Sequence, residues 1–323
     1  MADTDDHRGR LAALRAELAR EGLAGFIIPH ADEHQSEYLP ASAERLAWLT
    51  GFTGSAGTAI VLADAAAVFV DGRYTLQVVA EVDEALFTPQ HLIEMPPSRW
   101  LKGHVHAGDR IGYDPWLMTV ADVRRFGAAC AEAGAEFVPV ADNLVDRIWA
   151  DRPAPPTGAV SLHPVSLAGE SAPDKIARLQ QMVAEKRADA AVLGQADSIA
   201  WTFNIRGSDI AHNPVALAWA ILPRSGKPSL FIDGRKLSNA VRDALSDLAD
   251  ISEPDRLPDA LAALGQTEAA VLVEPRMTAV AVANLITGAG GTIVDGADPV
   301  SLPKARKNET EIAGSRRAHI RDG

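Results

Sequence analysis

Apolar positions along the chain recur at helical spacing and then run together, and this succession of patterns occurs twice. Between Arg8 and Glu21 they fall at Leu11, Leu14, Leu18 and Ala19, which share one face of a helix. The run Ala24-Gly-Phe-Ile-Ile28 that follows has the length and composition of a buried strand. The same order returns between Asp174 and Arg187, with Ile176, Leu179, Met182 and Val183, and then in Asp189-Ala-Ala-Val-Leu193. Each copy continues with an acidic loop (Ala31 to His34, Ala196 to Ser198) and an aromatic helical stretch, Arg45-Leu-Ala-Trp48 and Ile199-Ala-Trp201. A glycine-containing turn follows, Gly51 to Gly57 and Arg206 to Asp209. Paired apolar runs come next, and their second members nearly coincide: Val68-Phe-Val-Asp-Gly-Arg73 and Leu230-Phe-Ile-Asp-Gly-Arg235. This self-similarity predicts two related α/β domains in tandem, each a mixed sheet flanked by helices. Each Asp-Gly pair ends a strand ahead of a helical pattern, so its glycine is expected to hold a conformation that a Cβ would resist.

Three prolines within Asp151-Arg-Pro-Ala-Pro-Pro156 end any helix and favour an extended linker. The first domain is therefore expected over 1–155 and the second over 158–302. After Pro303, Asn308 followed by Glu311 is a helix-start signal. That helix opens close to the last residue, so 303–323 is expected to begin a further domain that the chain does not complete.

The 323 residues exceed what one hydrophobic core usually supports, in keeping with two domains. Hydrophobic residues at 47% and charged residues at 23% are ordinary for a globular chain. Lys and Arg number 31 against 43 Asp and Glu, a net charge of −12 that repels a polyanion, so no nucleic-acid partner is expected. The basic C-terminal residues are interleaved with Glu309 and Glu311 and read as a solvated helix face. A single cysteine, Cys130, excludes an intramolecular disulfide and fits a reducing compartment. The acidic start Met1 to Asp6 is unlike a secretory signal, and no run reaches the roughly 18 apolar residues of a membrane span. A cytoplasmic location without membrane association is expected.

No complete catalytic set is visible. His30 and His34 would share a helical face, but Pro29 and the preceding strand favour a loop, which removes a metal geometry. His104 and His106 could share one face of a strand, with no third ligand tied to them by spacing. Gly54 to Gly57 lacks the spacing of a nucleophile elbow and reads as a tight turn between two strands. Gly288-Ala-Gly-Gly291 lacks a phosphate-loop continuation. Cys130, in an alanine-rich helical stretch, reads as a small buried residue.

Several strings taken in order resemble the aminopeptidase P (Xaa-Pro aminopeptidase) family of the creatinase/prolidase superfamily. They are Ile27-Ile-Pro29, Asp32 to Tyr38, Gly51 to Ala59, Asp71-Gly-Arg-Tyr74, Asn143 to Trp149, Phe203 to Asp209, His212-Asn-Pro-Val215 and Arg316 to Asp322. The resemblance implies two creatinase/prolidase N-terminal-like domains followed, in the whole enzyme, by a catalytic "pita-bread" domain. That domain would bind two divalent metal ions, usually manganese, with all ligands beyond Gly323. This chain would then contain no catalytic or metal-binding residue and be inactive alone. It would help shape the cleft for a peptide with proline at the second position, and could take part in a homodimer. The resemblance also implies a substrate contact for Arg73, whose planar fork of donors suits a carboxylate or peptide carbonyl; a purely structural ion pair is the alternative. Arg235 lacks the following tyrosine and inherits no such role. His212 and Asn213 are further candidates for substrate binding. The competing reading is a complete, duplicated peptide-binding or scaffold module without catalysis.

Overall fold

The computed structural model describes residues 4–323; Met1 to Asp3, on which part of the acidic-start reading rests, lie outside the described residues. The chain divides into two compact units, one ending at Pro155 and the other running from Pro156 to Gly323, with His34–Ser36 grouped in the second.

Unit 1 opens with the helix Thr4–Glu21. Its sheet is built from β1 (Gly25–Pro29), β2 (Gly57–Leu62), β3 (Ala66–Val70), β4 (Thr88–His91), β5 (Arg110–Tyr113) and β6 (Glu136–Pro139). The spatial order is β4-β3-β2-β1-β5-β6. β1, β2 and β3 pair antiparallel, whereas β3 with β4, β1 with β5 and β5 with β6 are parallel. The register sets Ile27 opposite Ile60 and Tyr113. Leu11, Leu14 and Leu18, the predicted helical stripe, join Phe26, Ile28, Val61 and Val68 in one core. The parallel edges are reached through crossover helices, Pro97–His104 before β5 and Val120–Glu132 before β6. Thr119 caps the second of these by accepting from the Asp122 amide. On it, Cys130 is fully buried, and burial pushes its thiol up to about 11.

Unit 2 repeats the plan. After β7 (Ser161–Leu162), the helix Ala172–Glu185 leads to β8 (Ala190–Leu193), with Ile176, Leu179 and Val183 buried. A short β9 (Ile205–Arg206) pairs with β7. The main sheet adds β10 (Trp219–Pro223), β11 (Ser229–Phe231), β12 (Asp250–Ser252), β13 (Ala270–Val273) and β14 (Thr292–Asp295). Its order, β12-β11-β10-β8-β13-β14, carries the same sequence of parallel and antiparallel neighbours as unit 1. The repeat read from the sequence is therefore a repeat of topology. The C-terminal helix Glu309–Asp322 starts with a capping box between Asn308 and Glu311, as the spacing predicts. Asn308 Nδ2 also donates to Ala168 O at 2.8 Å, which fixes that helix within unit 2.

Three local expectations are corrected. The Gly54 to Gly57 segment does not join two strands; it links the helix Arg45–Thr50, closed by Gly51 at φ +83, to β2. His104 ends a helix instead of lying on a strand, with its ring stacked on Trp100 at 3.9 Å. The Asp-Gly glycines do not hold the special backbone conformation expected of them. A Cβ on Gly72 would come no closer than 3.7 Å to His91, whereas one on Gly234 would meet Glu253 Oε1 at 2.6 Å. Neither has positive φ, and the groups met at Gly234 are the ends of the flexible Glu253 and Arg242 side chains, which can move aside, so neither position demands glycine.

Unit 2 buries two lysines. Lys236, 5% exposed, donates to Asp209 Oδ2 at 2.5 Å; Asp209 also accepts from the amides of Gly158 and Leu217. Lys175, 1% exposed, donates to Trp201 O at 3.0 Å and to Asn204 Oδ1 at 2.8 Å, with its ammonium over the Trp201 ring. Burial pulls its pKa down to about 8, against the attraction of Glu311 and Glu170 and with the repulsion of Arg206 and Arg178. The folded chain therefore releases this proton before the unfolded chain does. Stability is expected to climb as pH rises from about 8 to 10.5, at about 1.4 kcal/mol for each pH unit separating the two pKa values. Cys130 acts oppositely above pH 9, because its thiol is raised. Urea titrations of the native chain and of Lys175→Met across that range separate the two; equal slopes for both proteins would remove Lys175 as the cause.

Candidate functional site

The residues after β3 form a tight polar turn. Asp71 Oδ1 accepts from the Arg73 amide at 2.9 Å, and its carboxylate takes Arg73 Nε at 3.1 Å and Nη2 at 2.8 Å. The side-chain hydrogen bonds from Arg73 hold the Asp71 carboxyl below the usual range, and Asp71 in turn raises the guanidinium. Arg73 remains 58% exposed. Two faces of its fork are thus committed to Asp71, while Nη1 extends the donor edge beyond that pair.

Tyr74 holds the turn against the preceding loop. Its hydroxyl and Ser55 Oγ are 2.8 Å apart, and its ring meets Phe52 edge-on at 5.6 Å. The Arg73 guanidinium lies 5.0 Å from the Tyr74 centroid, within cation–π range. A Cβ on Gly54 would fall 2.3 Å from Phe52 Cζ and 2.8 Å from Tyr74 Cδ1, so this approach requires glycine. Glu81 latches the loop to the helix Thr75–Glu81 by accepting from the Thr53 amide and hydroxyl, each at 2.8 Å. The result is a cationic edge on a braced turn, suited to hold an acceptor oxygen.

The second copy repeats the pair without the brace. Asp233 accepts from the Arg235 amide at 2.9 Å and from its Nε and Nη2, and these bonds pull the Asp233 carboxyl down to about 2. In place of Tyr74 stands Lys236, which turns inward to Asp209. The same Asp-Gly-Arg string thus leads to a ring-backed surface in one unit and to a structural ion pair in the other.

The remaining candidates lie elsewhere. His212 and Asn213 sit in a tight turn of unit 2, where His212 takes φ +59 and the Asn213 amide donates to Ile210 O at 3.2 Å. Arg73 belongs to unit 1. His30 and His34 are in a loop: His30 Nε2 lies 3.1 Å from Glu37 O, and His34 Nδ1 lies 2.9 Å from Gly194 O. Among the described residues, no group of three or more His, Cys, Asp or Glu side chains is placed to hold a metal ion. No helix among the described residues is long and apolar enough to cross a membrane.

Two α/β units with one shared six-strand topology define a duplicated α/β protein with mixed sheets. Residues 10–148 and 151–311 each match a family described as the creatinase/prolidase N-terminal domain. The chain belongs to that family and carries its domain twice. A probable Xaa-Pro aminopeptidase P from Coccidioides posadasii (strain RMSCC 757 / Silveira) is 36% identical over 330 residues, covering 98% of this chain and 53% of the relative. A protein of the same description from Paracoccidioides brasiliensis (strain Pb03) is 34% identical, covering 99% of this chain and 54% of that one. The crystal structure of X-prolyl aminopeptidase from Caenorhabditis elegans, described as a cytosolic enzyme with a di-nuclear active site, superposes with a TM-score of 0.90. It is 27% identical, and the match covers 98% of this chain and 54% of that chain. The chain spans about half the length of the curated relatives it matches.

Proposed function

We propose that these residues form the non-catalytic N-terminal half of a metal-dependent Xaa-Pro aminopeptidase, which removes the N-terminal residue preceding proline. The observation that carries this reading is the alignment of nearly the whole chain, in sequence and in fold, with one half of such enzymes. In this reading 1–155 and 158–302 are the two accessory domains, and 303–323 opens the catalytic domain. Two divalent ions, manganese, act in that further domain, and no step of the hydrolysis is assigned to a residue of this chain. The protein works in the cytoplasm, as a homodimer, on peptides with proline at the second position. Arg73 reaches the bound peptide from its braced turn, and His212 and Asn213 add polar contacts.

An Xaa-Pro-Pro peptide with added manganese, assayed on the 323-residue chain and on the longer product of its reading frame, tests the proposal. Turnover is expected from the longer product alone; turnover by the 323-residue chain would overturn the accessory role. In the longer product, Arg73→Ala removes one charge-assisted contact, and kcat/KM is expected to fall by about tenfold to a hundredfold. Arg235→Ala should leave it unchanged. Equal kinetics for both variants would reduce Arg73 to its pair with Asp71.

A further inference from the structure

A solvent-open cleft of about 540 Å³ lies in unit 1 and is lined by residues that follow the carboxyl ends of the parallel strands β1, β5 and β6. Glu33 follows β1, Asp114 and Trp116 follow β5, and Asn143 follows β6, while Arg45 and Asp146 come from two short helices. The chain leaves β1 toward β2 on one side and β5 toward β6 on the other. Such a reversal is where open α/β sheets receive ligands.

Unit 2 provides an internal comparison. At the ends of β8, β13 and β14 the matching space is only about 10 Å³, the room of a single water. Aligning Trp48 with Trp201 sets Ser198 where unit 1 has Arg45. The Ser198 hydroxyl donates to Asp298 at 2.6 Å, and the Asp298 amide donates to Glu274 at 2.8 Å, so the short side chains close the place. Unit 1 carries a longer, charged side chain there and stays open.

The polar groups of the open cleft are not all met. Arg45 is 2% exposed and donates Nε and Nη2 to Asp146 at 2.7 and 2.9 Å. Its Nη1 is buried without an acceptor. A buried donor left unmet is costly, so its presence calls for an oxygen. Asp114 accepts the Trp116 amide on one oxygen and Asn143 Nδ2 on the other, each at 2.9 Å, which leaves a lone pair on each for a further N–H. Four carboxylates (Glu33, Asp114, Asp142 and Asp146) stand against three guanidiniums (Arg45, Arg147 and Arg152) around the cleft, so a free anion gains no net attraction there. A group that offers a carbonyl oxygen beside an N–H satisfies both needs without net charge.

We infer that this cleft is a binding site for a neutral amide, whose carbonyl is held by Arg45 Nη1 and whose N–H is held by Asp114. The site is independent of the peptidase reading and of Arg73. Titrating N-methylacetamide into the ¹⁵N-labelled chain is expected to give saturable shifts of the Arg45 Nε–H and Trp116 indole signals. Binding should be at least tenfold tighter than that of acetate or methylammonium. Arg45→Lys should abolish saturation while its backbone spectrum stays dispersed. If that variant does not fold, the near-isosteric Asp114→Asn should weaken binding at least fivefold. Acetate binding as tightly as the amide would make this an anion site and overturn the assignment. So would the absence of saturable shifts with any of the three probes, which would leave a cleft holding only solvent.

Discussion

Asp209→Ala is expected to lower the stability of unit 2 by about 3–5 kcal/mol, because it strands the Lys236 ammonium in the interior. The pair is 5% exposed on the lysine and 0% on the aspartate, so water cannot replace the lost partner. Asp209 also serves the Gly158 and Leu217 amides at 2.9 and 2.7 Å. For that reason the double variant Asp209→Leu, Lys236→Met should recover only part of the loss: the charge is gone, yet two part-buried N–H groups lose their acceptor, at up to about 1 kcal/mol each. Urea denaturation followed by tryptophan fluorescence reads both variants. A native midpoint in Asp209→Ala would mean that the pair is not formed in solution.

Asp146→Ala should act with similar force in unit 1. Asp146 receives Arg45 through two hydrogen bonds and Arg152 Nη1 at 2.6 Å, so its removal leaves two guanidiniums facing each other beside the cleft, that of Arg45 buried and that of Arg152 30% exposed. Glu33, 3.6 Å from Arg45 and 41% exposed, screens only one of them. A loss of about 3 kcal/mol is expected, with partial rescue when Arg45→Met is added, since an apolar side chain of similar length tolerates the site. Thermal melts of the single and double variants decide this; no rescue would show that Arg152, rather than Arg45, depends on Asp146.

These charged pairs mark the boundary of what the sequence made legible. The helical stripe of Leu11, Leu14 and Leu18 and its echo at Ile176, Leu179 and Val183 could be read because local spacing alone determines which face is buried. The duplicated Asp-Gly-Arg string pointed to two copies of one fold. Strand order is set by tertiary pairing, and nothing in the run Gly25–Pro29 announces that it lies between β2 and β5. The partners Arg45 and Asp146 are 101 positions apart. In the sequence Arg45 was one more residue of a helical repeat unit, and its aligned counterpart Ser198 carried no warning that a cleft opens in one copy and closes in the other. The signal that could have found it was a divergence within the repeat: an arginine against a serine, just ahead of a shared Ile/Leu-Ala-Trp pattern. Likewise, the tyrosine after Arg73 is plain in the sequence, but the inward turn of Lys236 in the matching position depends on the buried Asp209, which is distant in the chain.

The lone thiol has a practical corollary. Cys130 is fully buried, and its acidity is suppressed to a pKa of about 11, so at neutral pH only about one molecule in ten thousand presents a reactive thiolate. Thiol reagents should pass over the native chain. A cysteine introduced at an exposed position can therefore carry a fluorophore or spin label as a sole reporter, without first deleting the one that nature placed in the core.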